Sequence, residues 1–289
     1  MVDTTMMEYS ANVCAACRSK TGEFKLFWAG LKQCSHCGHC MADLDAPGLD
    51  FKTIYSDRYF SGDEYVDYLR DQIVFEKQFR DRLRKIEKFR SSGDLIEVGC
   101  AYGFFLAVAK ERFRARGYDI SEGPVNYARS QLGVDAHCED IVNVPLAAKS
   151  VDVVVMWDTV EHLPRPDLTL DKIGHILRPG GYLFLTTGDI GSLLARAQKE
   201  KWRLIHPPTH LHYFDRRTIA ILLENSGLHP VSIEYVGTRR SVRQVAYSLL
   251  ALGKQRPSRL YNFIAASRLA EMSFVLNTYD IMLVVAQKS

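Results

Sequence analysis

The stretch Asp94-Leu-Ile-Glu-Val-Gly-Cys-Ala-Tyr-Gly-Phe-Phe-Leu106 decides the fold of this chain. Its first half, Leu95 to Val98, is an apolar run that is typical of a strand buried on both faces. Gly99 and Gly103 then bracket a turn in which a Cβ would hinder the close approach of a ligand, and an apolar helical segment follows. The stretch therefore predicts a buried strand, a ligand-binding turn and a helix.

The turn departs from the glycine pattern of dinucleotide-binding proteins. That pattern needs glycines at the first, third and sixth positions, but counted from Gly99 the third residue is Ala101 and the sixth is Phe104. NAD is therefore disfavoured. An acid at the strand end, Glu97, followed by a turn that closes on Gly103, resembles motif I of the class I S-adenosylmethionine-dependent methyltransferases. The resemblance implies that this turn holds the methionine end of the cofactor.

Two further predicted strands end in carboxylates. Arg116 to Asp119 predicts a second strand, and Asp119 follows the first turn by about twenty residues, where it is placed to accept hydrogen bonds from a ribose. Cys138 to Ile141 contains a third acidic strand end, Asp140, which in the resembled family lies beside the adenine ring. The resemblance implies a cofactor site formed by Glu97, Gly99, Cys100, Ala101, Gly103, Asp119, Ile120, Asp140, Ile141 and Trp157.

The remaining apolar runs complete the predicted sheet. Val151 to Trp157 predicts a fourth strand, Gly181 to Thr187 a fifth after a turn at Arg178, and Tyr279 to Gln287 the last strand. Strands that alternate with helical segments indicate a doubly wound α/β fold. The resemblance, which extends over residues 91–289, implies a seven-stranded Rossmann-like sheet whose last strand is antiparallel.

Four cysteines near the N-terminus form two knuckles, Cys14-Ala-Ala-Cys17 and Cys34-Ser-His-Cys37, with sixteen residues between them. This spacing lets four thiolates meet around a tetrahedral zinc ion. Two local disulfides are the alternative, which CxxC geometry and a reducing compartment disfavour. About 40 residues cannot build a core alone, so we expect a structural zinc ion to supply folding energy. Three further side chains lie close enough in sequence to be alternative ligands: His36, His39 and Cys40.

These patterns predict three segments. Residues 1–46 form a zinc-knuckle module, residues 47–92 a connecting segment with a long amphipathic helix, and residues 93–289 the catalytic domain. Within the last, residues 237–278 are a helical insertion before the final strand. Three aromatic residues of the connecting segment are candidates for a lid over the cofactor or for simple packing: Tyr55, Tyr59 and Phe60.

The turn after the fourth strand carries the candidate catalytic residues Asp158, Glu161 and His162. In open α/β sheets the ligand lies beyond the carboxyl ends of the strands. Methyl transfer to oxygen needs a base, or a metal that lowers the pKa of the hydroxyl. Three interpretations stay open. In the first, His162 is a metal-free base. In the second, the three residues hold Mg²⁺, because their order resembles the magnesium motif of ubiquinone-pathway and small-RNA 3′-end O-methyltransferases. In the third, His162 only packs or caps at the start of a helix.

A second histidine group, His206-Pro-Pro-Thr-His210-Leu-His212, follows the fifth strand. The prolines suppress helix, so we expect a loop over the cleft in which His210 and His212 face the same way. His210 is a candidate for substrate contact or proton relay, and hydrogen bonding to the backbone is the alternative. The phrase from His210 to Phe214 resembles a bacterial methyltransferase subgroup linked to surface glycans and natural products.

Composition and charge limit the partners. The 289 residues are 47% hydrophobic and 25% charged, with a net charge of +3, which is too small to indicate nucleic-acid binding. No apolar run approaches the roughly 20 residues needed to span a bilayer and the N-terminus lacks a signal-peptide pattern, so we expect no membrane association and a cytoplasmic location. Arg239, Arg240 and Arg243 are either a solvated basic face or a site for an anionic, nucleotide-linked substrate.

The sequence therefore predicts an S-adenosylmethionine-dependent methyltransferase that methylates a hydroxyl of a sugar, glycan or natural product. Carbon methylation of a nucleotide-linked keto sugar is the first alternative. A zinc-ribbon RNA methyltransferase and a non-catalytic partner that only binds the cofactor are the others. The oligomeric state stays open.

Overall fold

A computed structural model of the chain describes residues 13–19, 24–43, 69–250 and 259–289. The three aromatic residues of the lid hypothesis, Tyr55, Tyr59 and Phe60, lie outside the described residues, as does the predicted start of the connecting helix. That hypothesis stays a prediction.

The strands, numbered in chain order, are β1 (Phe24–Leu26), β2 (Lys32–Cys34), β3 (Cys40–Met41), β4 (Gly93–Val98), β5 (Phe113–Asp119), β6 (Asp135–Cys138), β7 (Val151–Trp157), β8 (Leu177–Gly188), β9 (His212–Tyr213), β10 (Leu228–Tyr235), β11 (Thr238–Ser241), β12 (Ser273–Leu276) and β13 (Ile281–Lys288). The α-helices of the described residues are α1 (Gln72–Glu87), α2 (Phe104–Ala109), α3 (Glu122–Leu132), α4 (Pro166–Ile176), α5 (Leu193–Gln198), α6 (Arg216–Glu224), α7 (Val242–Leu250) and α8 (Arg259–Ala266).

Seven strands form the central sheet in the order β10-β13-β8-β7-β4-β5-β6. The five strands from β8 to β6 are parallel, whereas β13 runs antiparallel to both β8 and β10. The predicted seven-stranded α/β fold is confirmed, and the antiparallel last strand is the one that the resemblance implied. All parallel strands end at one edge, so the acidic strand ends meet there.

Helices cover both faces of the sheet because β7 is apolar at every position except Asp152. Val153 and Val155 join one buried cluster with side chains of α1 and α2, such as Phe105. Val154 and Met156 join the opposite cluster with side chains of α4 and α6. Successive strand residues point to opposite faces, so a continuous apolar run supplies two cores at once.

The cysteine-rich segment does not stand apart from this domain. Its strands β1, β2 and β3 form a second sheet that is completed by β9, which follows β8 in the chain. Cys40 pairs with Tyr213 and Met41 with His212 across the antiparallel β3–β9 contact. The histidine loop of the larger domain therefore supplies the edge strand of the N-terminal sheet.

The predicted insertion contains more than two helices. Besides α7 and α8 it contains two antiparallel strands, β11 and β12, which lie before and after the helices in the chain and pair so that Arg239 is opposite Val275. Thr238-Arg-Arg-Ser241 lacks the alternation of apolar residues that predicts a strand, so this pair was not expected. None of the helices among the described residues is long and apolar enough to cross a membrane.

Candidate functional site

The glycines of the turn after β4 are required by packing within the protein. Gly99 has φ +77°, and a Cβ there would lie 2.5 Å from Oγ1 of Thr159. Gly103 has φ +73°, and its Cβ would lie 2.8 Å from Cβ of Ala128. The turn between them is thus fixed by both conformation and space, whereas the sequence had suggested ligand approach as the reason.

Two carboxyl groups lie behind this turn, the buried Glu97 and the half-buried Asp119. Glu97 is 3% exposed, and its Oε2 has no hydrogen-bond partner among the described residues. Burial, and then the charge of Asp119, raise the pKa of Glu97 well above its usual range. Asp119 accepts hydrogen bonds from the amides of Ala101 and Ser121, each over 2.8 Å. The β5 carboxylate therefore fixes the glycine turn while Glu97 keeps an unused acceptor.

The next acidic strand end has a local role of its own. Asp140 caps the 3-10 turn Ile141–Asn143 by accepting the amide of Val142 over 2.9 Å. Ile141 is 2% exposed, and Ile120 is half-buried beside Asp119. Burial raises the pKa of Asp140. The predicted ribose and adenine positions therefore lie at the carboxyl ends of neighbouring strands, β5 and β6.

Trp157 ends β7 at the same edge. Its indole Nε1 is buried and has no acceptor within the part of the chain that the structure describes. Phe105 packs edge-on against the ring, with centroids 5.4 Å apart, and the guanidinium of Arg82 lies 5.8 Å above its centre. Asp158 follows with φ +50°, its amide donating to both the carbonyl and Oγ1 of Thr186. This conformation turns the chain toward the 3-10 segment Val160–His162.

Glu161, His162 and His210 converge beyond the end of β7. Each offers a side-chain ligand atom, and these atoms all lie within 4.8 Å of one another. Nδ1 of His162 lies 2.8 Å from the carbonyl of Thr209, and Nδ1 of His210 lies 2.9 Å from that of Leu204. A carbonyl only accepts, so both Nδ1 atoms carry the proton and both Nε2 atoms present a lone pair.

Burial disfavours the charged form of all three side chains. Glu161 is 4% exposed, and burial together with the charge of Asp158 raises its pKa to about 8. Burial lowers the pKa of His162 to about 4 and that of His210 well below its usual range. Oε2 of Glu161 has no hydrogen-bond partner among the described residues. The arrangement suits a divalent cation, which favours the ionised carboxyl and the neutral imidazoles.

The histidines of the loop separate into two groups. His210 contacts His162 and His206, with ring centroids 4.5 and 3.8 Å away. His212 is buried against His39 and Phe214 instead. Thr209 lies in a turn, and β9 begins only at His212. The different neighbours of the His210 and His212 rings do not support the expectation that the two face the same way.

Backbone contacts hold this loop to both neighbours. The amide of Leu211 donates to the carbonyl of Glu161, and the amide of Ala42 donates to the carbonyl of Leu211, each over 2.9 Å. The segment between His210 and His212 is therefore hydrogen-bonded to the turn after β7 on one side and to the N-terminal sheet on the other.

The four knuckle cysteines meet as predicted. Sγ of Cys14 lies 3.5 Å from Sγ of Cys37, Sγ of Cys17 lies 3.8 Å from Sγ of Cys34, and all four lie within 4.8 Å. Tetrahedral zinc with Zn–S bonds of ~2.3 Å needs sulfurs ~3.8 Å apart, so the donor set fits the ion. His39 lies outside this set, and its Nδ1 is 3.6 Å from Sγ of Cys14.

The arginines of the insertion are largely paired. Arg243 is 5% exposed and forms ion pairs with Asp71 and Glu271. Arg239 pairs with Asp81 over 3.0 Å. Arg239 and Arg243 therefore do not belong to a freely solvated basic face, whereas for the other arginines of the insertion that interpretation stays a prediction.

Sequence reasoning missed Arg82. It lies on α1 in the spacing of the buried Phe79, Leu83 and Ile86, at a position that the amphipathic pattern reserves for apolar residues. The presence of a charged residue within an apolar stripe was the sequence signal by which Arg82 could have been recognised.

Comparisons with known proteins agree with this geometry. Residues 68–233, more than half of the chain, match the family described as a methyltransferase domain. The biotin biosynthesis bifunctional protein BioHC of Cellvibrio japonicus is 26% identical over 200 residues, which are 66% of this chain and 36% of that protein. A ubiquinone biosynthesis O-methyltransferase of Coxiella burnetii is 29% identical over 99 residues, 32% of this chain and 42% of that protein. The chain thus spans well under two thirds of the length of these curated relatives.

A solved structure shows the same fold. The SAM-dependent methyltransferase from Archaeoglobus fulgidus superposes with a TM-score of 0.52 at 20% identity, over 76% of this chain and 99% of that one. Together with the match over residues 68–233, the sheet order and the glycine turn, this places the chain in the methyltransferase domain family of the class I S-adenosylmethionine-dependent methyltransferases.

Proposed function

We propose that this protein transfers a methyl group from S-adenosylmethionine to a hydroxyl oxygen of a small-molecule or glycan acceptor. The observation that carries the proposal is the convergence of Glu161, His162 and His210 at the edge where β4, β5 and β7 end. A site for deprotonating a hydroxyl thus adjoins the predicted cofactor turn. The likeness to a ubiquinone biosynthesis O-methyltransferase supports oxygen as the acceptor atom.

The cofactor would be held by the residues at the ends of β4, β5 and β6. Oε2 of Glu97 and Nε1 of Trp157 are buried polar atoms that have no hydrogen-bond partner among the described residues. A bound ligand would supply the missing partners. Asp119 and Asp140 lie where the resemblance puts the ribose and the adenine. S-adenosylmethionine, when bound, supplies a methyl carbon on a positively charged sulfur.

Glu161, His162 and His210 would hold a divalent cation and, with it, the acceptor hydroxyl. A cation at this place would lower the pKa of the hydroxyl, which a neutral alcohol needs to become a good nucleophile. Two imidazoles and a carboxylate suit transition metals such as Mn²⁺, Fe²⁺ or Zn²⁺ better than Mg²⁺. The Mg²⁺ site of Asp158, Glu161 and His162 stays a prediction, and His210 is a further ligand that the geometry favours.

The protein's own groups support this chemistry. The carbonyls of Thr209 and Leu204 orient the two imidazoles so that each Nε2 faces the cluster. His162 as a metal-free base is less favoured because a pKa of about 4 makes it a weak base at neutral pH. The four cysteines would hold a structural zinc ion, since no position of that site is left for substrate.

The test is methyl transfer from labelled S-adenosylmethionine to a panel of sugar nucleotides, glycans and hydroxylated metabolites from an extract. We expect a product that is heavier by one methyl group and carries it on oxygen, as fragmentation spectra would show. A carbon-methylated product would favour the keto-sugar alternative, and label in RNA would favour the RNA alternative. Tight cofactor binding without any labelled product would favour the non-catalytic partner.

A further inference from the structure

The guanidinium of Arg82 is buried without an ionic partner. The residue is 6% exposed on α1, and among the described residues it makes no hydrogen bond or ion pair. Its guanidinium carbon lies 5.8 Å from the centre of the Trp157 ring, over the ring face. Burying a cation this deeply costs free energy unless something compensates it, and a cation–π contact compensates only part.

Two of the three acids whose charges act on Arg82 are paired with other cations. Asp158, Glu234 and Asp81 favour its charged form but lie beyond ion-pair distance. Glu234 pairs with Lys85, and Asp81 pairs with Arg239 and Arg84. The planar fork of N–H donors on Arg82 is therefore available to a ligand.

A cavity of about 220 Å³ lies against this side chain. Its wall includes three cations, one acid, a phenol and an apolar residue of β12: Arg82, Lys85, Arg239, Asp81, Tyr235 and Val275. Lys85 and Arg239 each have an acidic partner, so Arg82 is the cation in the described wall whose charge is not balanced by an ion pair.

The sheet register places the cavity at the carboxyl edge of the central sheet, level with the end of β8. Tyr235 lies opposite Met282, and Ile281 lies opposite Gly188, so the end of β10 is level with the carboxyl end of β8. The acids that would bind the cofactor lie on β4, β5 and β6, on the other side of β7. Arg82, above Trp157 at the end of β7, lies at the boundary between the two halves.

We propose that this cavity binds an oxyanion group of the acceptor, a phosphate or a carboxylate, with Arg82 as its principal donor. The inference rests on the proposed function, since it concerns the acceptor of the same site. Guanidinium forks match carboxylate and phosphate oxygens through two parallel hydrogen bonds. The acceptor is accordingly an anionic hydroxyl compound, such as a sugar phosphate, a nucleotide sugar or a hydroxy acid.

The test uses the full chain with its zinc, saturated with S-adenosylhomocysteine, and titrates it calorimetrically with pyrophosphate, inorganic phosphate or acetate at constant ionic strength. We expect at least one of the three to bind the wild-type protein. Arg82→Met should weaken that binding by about tenfold or more, and Arg82→Lys, which keeps the charge but not the fork, by a smaller factor. Arg80→Met is the matched control, because Arg80 lies on the same helix and pairs with Glu111.

Three results would overturn the proposal: no binding of any probe to the wild-type protein, equal affinity in Arg82→Met and Arg80→Met, or a loss of affinity for S-adenosylhomocysteine alone in Arg82→Met. The last would assign Arg82 to the carboxylate of the cofactor. Arg82→Lys keeps the test valid if the methionine variant does not fold. The assay needs no turnover, so oxyanion binding would survive a failure of the proposed hydroxyl methylation.

Discussion

The imidazole of His39 stacks on the imidazole of His212, with ring centroids 5.2 Å apart and planes inclined by 15°. His39 follows the second cysteine knuckle, and its Nδ1 lies 3.6 Å from Sγ of Cys14. His212 follows the catalytic candidate His210 by two residues. The contact therefore connects the four cysteines to the loop that positions His210.

Loss of a knuckle cysteine is expected to remove the metal and loosen this loop. Cys34→Ser should release the zinc and lower the free energy of unfolding by more than about 2 kcal/mol, because the segment has little core of its own. Zinc per chain by elemental mass spectrometry and denaturant unfolding measure both effects. Cys138→Ser is the control, since Cys138 is exposed and outside the cluster. Full zinc content in Cys34→Ser would refute the site.

Removal of either clustered imidazole is expected to slow chemistry without loosening the cofactor. His162→Asn and His210→Asn should each lower kcat by about a hundredfold or more, while affinity for S-adenosylhomocysteine changes by less than about threefold. His175→Asn, on the exposed side of α4, is the matched control. Unchanged kcat in both cluster variants would leave only a packing role for these histidines.

Glu97→Gln is expected to have opposite effects on stability and on cofactor binding. The unfolded carboxyl loses its proton near pH 4.5, whereas the folded one keeps it to a much higher pH. Over that window the unfolded state binds fewer protons, so wild-type stability falls as pH rises, by up to about 1.4 kcal/mol per pH unit. Glutamine does not titrate, so the variant should gain stability relative to wild type as the pH rises above about 4.5.

The same variant should bind S-adenosylmethionine more weakly, because a neutral amide replaces a carboxyl that can ionise beside a cationic ligand. Chemical unfolding at several pH values and calorimetric titration of the cofactor give the two readouts. Parallel stability curves for Glu97→Gln and wild type would show that Glu97 does not titrate abnormally.

Gly99→Ala is expected to damage the cofactor turn more than a conformational penalty alone explains. Gly133 also has positive φ, +58°, but nothing lies within 4 Å of the Cβ it would gain, whereas at Gly99 that atom would lie 2.5 Å from Thr159. Gly133→Ala should therefore cost about 1 kcal/mol, and Gly99→Ala at least about 2 kcal/mol together with weaker cofactor binding. Equal losses in the two variants would mean that Thr159 moves aside freely.

Local sequence patterns predicted the strands of the central sheet well, but they did not predict the contacts between segments that are distant in the chain. The bounds of β7 were predicted to the residue, because six of its seven residues are apolar, which is typical of a strand buried on both faces. The pairing of Cys40 with Tyr213 has no local signature, since it depends on two short segments distant in the chain. The four knuckle cysteines were found by spacing alone, as metal ligands often are.

The candidate site divides in the same way. Glu161 and His162 share one turn, so their proximity could be predicted, but the third ligand was assigned to Asp158 and the geometry adds His210 from another loop. Arg82 was missed because an amphipathic pattern treats a single cation in an apolar stripe as tolerable variation. Whether this arginine can bind a ligand depends on the residues that surround α1, and the sequence of the helix alone does not reveal them.

The β3–β9 pairing also has a consequence for the order of assembly. Met41 has its strand partner only when His212 is present, so the N-terminal sheet is completed only in a chain that extends beyond β8 to β9. Until then the β3 edge is an exposed row of unpaired backbone groups, the kind of template on which chains associate wrongly. Fragments that stop before residue 212 should therefore be prone to aggregate even with their zinc bound.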